Sequence, residues 1–318
     1  MNNTEFAPEL PSTPLPESRI STFWRHAFAI QGSITPHIMP NVCIVGALAI
    51  AICIIANVVQ NFYGIKLGLP IGPYEFTGTA LGLLLVLRTN AGYDRWWEAR
   101  KLWGGIVNQC RNLAISGISY GPQNRQWQTE FIRWIAAFAH ASRISLRGQR
   151  ECAQIVSLVG EPEATKLTRA QHMPTAVVLK LSRLMNEARA NDELDGFAFM
   201  QLDRERAQLI DHIGACERIM KTPLALAYSI KIRRFIIIFL FTLPFGLIHE
   251  LGSSWLVPFL TMLVAYPLFS LDQIGSELQN PFDLRNLSHL PLDEISDTIT
   301  SNVLALEETP VSLEKTYV

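Results

Sequence analysis

Val42 to Val59 reads VCIVGALAIAICIIANVV, eighteen residues whose single polar member is Asn57. As a helix rising ~1.5 Å per residue, this run nearly crosses a ~30 Å hydrocarbon core. A buried helix of a large soluble domain is the competing reading, but such helices rarely run this long without a charge. A secretory signal does not fit, because the preceding stretch is long, Pro-rich and carries Glu5, Glu9 and Glu17. The second apolar run, Phe76 to Leu87, is too short to span alone, and extending it back to Pro70 brings in Glu75. That pattern predicts a helix shielded by protein instead of lipid. Phe235 to Ile248 and Trp255 to Leu271 form a third and a fourth run around the polar connector 249–254, the pattern of a helical hairpin in a membrane. Pro244 lies inside the third, and Pro258 and Pro267 predict kinks in the fourth.

Between the second and third runs the pattern changes. Arg95–Ile118, Gln126–Leu146, Ala176–Ala190 and Phe197–Lys221 follow the helical period of an amphipathic face. Arg147–Arg150 and Glu161–Thr165 read as loops. After Asp272 the chain turns polar, and 293–308 forms an acidic amphipathic helix with Ile295, Ile299, Val303 and Leu306 on one stripe. Strand alternation is nearly absent, and no internal repeat points to an inverted-repeat transporter.

Composition supports this division. Hydrophobic residues make up 49% of the 318 and charged residues 17%, against ~25% charged in soluble domains. A net charge of −1 disfavours a simple nucleic-acid binder. Residues 88–234 hold 22 Lys and Arg against 14 Asp and Glu, an excess of eight positive charges. Five scattered Cys in no paired motif exclude a disulfide framework and a structural zinc site.

The placement of Lys and Arg gives an orientation. Arg19 and Arg25 precede the first run, Arg88 and Arg95 follow the second, and Lys231, Arg233 and Arg234 precede the third. The two connectors on the other side carry only Lys66 and no Arg. Four spans with both termini in the cytoplasm satisfy all of these positions.

Candidate chemistry is sparse. No nucleotide loop, nucleophile elbow or zinc-protease motif occurs, so an enzyme is not expected. The seven His do not pair at helical spacing, and His212 and its neighbour Asp211 point apart. Two readings of Glu75 stand: an intramembrane functional acid, or an interfacial acid at a helix N-terminus, where its charge is favourable. Thr79, Leu83 and Leu87 stack at i, i+4 and i+8, with Gly78 and Gly82 as a small-residue stripe beside them that lets helices approach closely. Trp96, Trp97 and Trp103, with their flanking cations, read as interfacial anchors of a span end.

Three motifs resemble a known family. RTNAGYDRWWEARKLWGG at 88–105, GACERI at 214–219 followed by Thr222-Pro223-Leu224, and IGSELQNPF at 274–282 are similar to segments of bestrophins, bacterial homologues above all, in the same order. The resemblance covers residues 20 to 300. It implies an all-α membrane protein with four transmembrane helices per subunit and a helical cytosolic domain, assembled as a homopentamer around one central pore. Segments follow as 1–38 (N-terminal, cytosolic), 39–87 (helices 1 and 2, the neck at about 76–87), 88–234 (cytosolic domain), 235–271 (helices 3 and 4) and 272–318 (cytosolic). The implied neck is Thr79, Leu83 and Leu87, with a polar Thr79 where relatives carry a bulky apolar residue. A second, cytosolic constriction is expected at Phe197, with Met200 next. The implied function is passage of small monovalent ions, chloride by family default and a cation such as sodium as the other possibility, across the cell inner membrane. A membrane-anchored helical scaffold without ion flux is the alternative. No cofactor, metal or nucleic acid is implied; the expected partners are the bilayer, the permeant ions and four further copies of the chain. Animal members bind calcium just after Asn-Pro-Phe. Here Arg285 and Ser288 stand where carboxylates would be, and a cation and a hydroxyl make poor calcium ligands.

Overall fold

A computed structural model describes residues 24, 25, 27–29, 32–150, 153–252 and 255–308. Ten helices and no strands make up the fold among these residues. Helix α1 spans Thr35–Tyr63, α2 Gly72–Tyr120, α3 Arg125–Leu146, α4 Ala153–Val159 and α5 Glu161–Arg169. Helices α6 Met173–Ala190, α7 Gly196–Lys221, α8 Leu226–Leu251, α9 Leu256–Glu277 and α10 Leu292–Glu308 complete it.

α1, α8 and α9 are long and apolar enough to cross a membrane. α1 stops at Gly64, whose positive φ lets the chain turn while its N–H closes on the Gln60 carbonyl. It packs on α9 through Gly46, where even a Cβ would collide with Met262 Sδ at 2.5 Å. The connector after α1 lies against the C-terminal part of α8: Leu69 N–H donates to the Phe245 carbonyl (3.1 Å), and Gly68 sits on His249.

α2 is not divided where its composition changes. It runs unbroken for 49 residues, about 74 Å at 1.5 Å per residue. Its first part packs on α8 and α9 through Leu81 and Leu85. Its second part enters the main core with Trp103, Ile106 and Leu113, against Phe131 and Phe138 of α3, Leu181 of α6, Leu209 of α7 and Ile299 and Val303 of α10. Gly92 permits the crossing with α9, since a Cβ there would stand 3.2 Å from the Gly275 carbonyl oxygen.

Three sequence expectations are corrected. Glu161–Thr165 is not a loop but most of α5. Pro162 lies in its first turn, Glu161 and Glu163 sit at its positive end, and Lys166 and Arg169 at its negative end, so termini and charges offset a weak apolar pattern. Pro258 lies in the first turn of α9, where no intrahelical N–H is lost; only Pro267 is inside that helix. Trp103 is fully buried in the amphipathic bundle and anchors no interface. Gly78 packs on Phe239, as a close-contact glycine should, and Gly82 has open space beside it within the single chain.

Candidate functional site

α2 carries two opposed stripes. Leu81, Leu85, Arg88 and Gly92 face inward and are buried. On the other side Phe76, Thr79, Leu83, Leu87, Asn90 and Asp94 form one exposed row at three- and four-residue spacing. Phe76 is 80% exposed, Leu83 62% and Leu87 52%. Apart from Thr79, the row is apolar down to Leu87 and polar from Asn90 on. Thr79, Leu83 and Leu87 therefore share an open face. The Thr79 hydroxyl donates to the Glu75 carbonyl (2.8 Å), which satisfies its polarity within the helix. Glu75 itself is exposed in the first turn of α2, at the helix N-terminus.

Phe197 and Met200 lie on a different helix. Asp195 starts α7 by accepting from the N–H groups of Phe197 (2.7 Å) and Ala198 (3.2 Å). Phe197 is then 89% exposed in the first turn, with Met200 one turn on. Ala198, Leu202 and Glu205 anchor the opposite face in the core.

What holds α2 in place was not legible as a site. Arg88 is 1% exposed and ion-pairs with Asp272 of α9. Asp272 also accepts from Arg233 Nε of α8 at 3.0 Å. One carboxylate thus ties three helices where their apolar stretches end. Each residue closes or opens an apolar run, which was the available signal, but sequence spacing does not show that they meet.

Arg95 makes the second junction. Its guanidinium donates to the carbonyls of Ile219, Thr222 (Nη1, 2.8 Å) and Gln279 (Nε, 3.3 Å), closing the C-terminus of α7 and the turn after α9. Beside it, Trp96 Nε1 donates to the Ser288 carbonyl (2.7 Å), and Arg218 pairs with Glu98 (2.7 Å). The three motifs singled out in the sequence converge here.

The segment after Asn280 is held from within. Asp283 receives Arg285 Nε at 3.0 and 3.2 Å, Arg285 Nη2 at 2.7 Å and the Arg285 backbone N–H at 3.0 Å. These hydrogen bonds hold the Asp283 carboxyl below its ordinary range. No cluster of three or more His, Cys, Asp or Glu suited to a metal occurs among the described residues. His212 packs its ring against Gly105. Burial pushes the Cys110 and Cys216 thiols up to about 12, which leaves them unreactive. Cys152 lies outside the described residues.

A profile described as Bacterial/Fungal Bestrophin protein matches residues 16–305. A voltage-dependent anion channel-forming protein of Synechocystis is 32% identical over 284 residues, 88% of this chain and 90% of that protein. One of Mesorhizobium japonicum is 33% identical over 295 residues, covering 91% and 93%. A crystal structure of a bacterial bestrophin homolog from Klebsiella pneumoniae superposes with a TM-score of 0.77 at 25% identity, over 86% of this chain and 99% of that one.

Proposed function

The chain belongs to the bacterial and fungal bestrophin family, and from that membership we propose that it is an anion channel of the cell inner membrane. Its working form is a homopentamer with one axial pore. Each subunit contributes four transmembrane helices: α1, α8, α9 and the apolar first part of α2. Both termini lie in the cytoplasm.

The observation that carries this reading is the exposed row on α2. Its apolar part stands on a helix that is long enough to cross a membrane but not apolar enough to meet lipid alone. Five copies turned toward a common axis give that row a partner, with Thr79, Leu83 and Leu87 as the neck. An apolar neck opposes ion entry because an ion there sheds hydration without replacement. Phe197 and Met200, equally without cover in a single chain, form the cytosolic constriction. Chloride is the permeant ion, in keeping with the relatives named as anion channel-forming and with the positive excess of residues 88–234.

Purified protein in liposomes tests the reading. A chloride gradient is expected to dissipate faster than in empty vesicles, and a sodium gradient to persist. Sodium flux of equal size would reassign the selectivity, and no flux from a stable oligomer would favour a scaffold instead.

A further inference from the structure

A groove of about 550 Å³ runs between α1 and α8 and is closed at one end by α9, within the ~300–1,000 Å³ range of small-ligand sites. Its walls are graded. On α1 the lining residues step from Asn41 to Val45 and Leu48; on α8 they step from Arg233 to Ile237 and Phe241. Both series advance by about one helical turn per residue, so each helix presents one face to the groove. The polar members sit together at one end, and the rest is aliphatic and aromatic.

The polar end carries net positive charge. Asp272 is shared by Arg88 and Arg233, two guanidiniums on one carboxylate. One positive charge is left over. Arg88 is sealed inside, whereas Arg233 is half-exposed and lines the groove. Lys231 and Arg234 are exposed on the same turn of α8. Asp272 is the sole acid among the groove's lining residues.

We propose that this groove binds an anionic phospholipid, with one acyl chain between α1 and α8 and the phosphate at Arg233. The proposal rests on the membrane reading of the apolar helices. It adds a stated occupant, selected by charge at one end and by apolar length at the other. A zwitterionic lipid would satisfy the walls but gain less at Arg233, because its headgroup carries its own cation. The preference expected from one such cation is about fivefold.

Native mass spectrometry of the full-length protein, purified in detergent and offered equal phosphatidylglycerol and phosphatidylcholine, reads this directly. Phosphatidylglycerol adducts are expected to exceed phosphatidylcholine adducts by about fivefold. Arg233→Gln is expected to abolish the preference and Arg233→Lys to keep it. Ile237→Trp, which fills the groove and leaves every cation in place, is expected to reduce retention of both lipids. Equal retention of the two lipids by the parent overturns the proposal, as does indifference to Ile237→Trp. So does an assembled parent that retains no lipid, the result expected if a second copy of the chain covers the groove. Protein that stays dispersed without detergent would overturn the membrane reading itself.

Discussion

His140 is held away from its ordinary titration range by its surroundings. It is buried in α3, with Nε2 2.9 Å from Thr300 Oγ1 of α10. Burial, then the neighbouring Arg143 guanidinium, pulls its pKa from 6.5 down to about 4. Between those values the unfolded chain takes up a proton that the folded chain refuses. Stability is therefore complete above pH 6.5 and falls as pH drops toward 4. Thermal melts across that window should show the fall, and His140→Gln should flatten it. In the segment after Asn280, Arg285 already occupies both oxygens of Asp283. Isothermal titration is therefore expected to find no micromolar calcium site at 280–288, and flux should not respond to micromolar calcium.

At the scale of elements, α2 is held by one buried carboxylate and opens by one exposed row. Asp272→Ala strands Arg88 in a site that is 1% exposed. Leaving such a charge unpaired is expected to cost ~3–5 kcal/mol, seen as a lowered melting temperature and a smaller yield of folded protein. The neck should behave in the opposite way. Leu83 and Leu87 stand on the open face of the chain, so truncating either to Ala should spare the subunit fold. It should widen and wet a ring of side chains, raising chloride flux per folded oligomer. Thr79→Ile should lower flux, because it adds an apolar group to the same face. Alanine variants that fold normally and conduct no more than the parent would remove these residues from the constriction.

For the molecule as a whole, the two exposed rows, on α2 and at the start of α7, stand open in the single chain. Gly82, with open space beside it, lies next to the first of them. Mass photometry in detergent is expected to find a dominant species of five subunits. Monomers or dimers as the largest stable species would leave both rows without a partner and refute the pore.

The sequence by itself determined the all-helical class, the order of apolar and amphipathic segments, and the family. Periodicity and run length are local, and helices inherit them directly. Most helix ends in the middle region followed the pattern closely, as at Arg125–Leu146 and Gly196–Lys221. α5 was missed because its stabilisation comes from its first turn and from charges at its ends, not from an apolar stripe. The exposed face of Thr79, Leu83 and Leu87 was legible as a stripe, but a stripe does not say whether it meets core, lipid or open space. Only the tertiary structure decided that Leu81 and Leu85 take the inward side. Only it brought Asp272 between Arg88 and Arg233, and Arg95 to the carbonyls of Ile219, Thr222 and Gln279. Those contacts join residues 39 to 184 positions apart. Long-range pairing of charges depends on how helices cross, and crossing is set by packed side chains and close backbone approaches, as at Gly92 and Gly275, instead of by any local period.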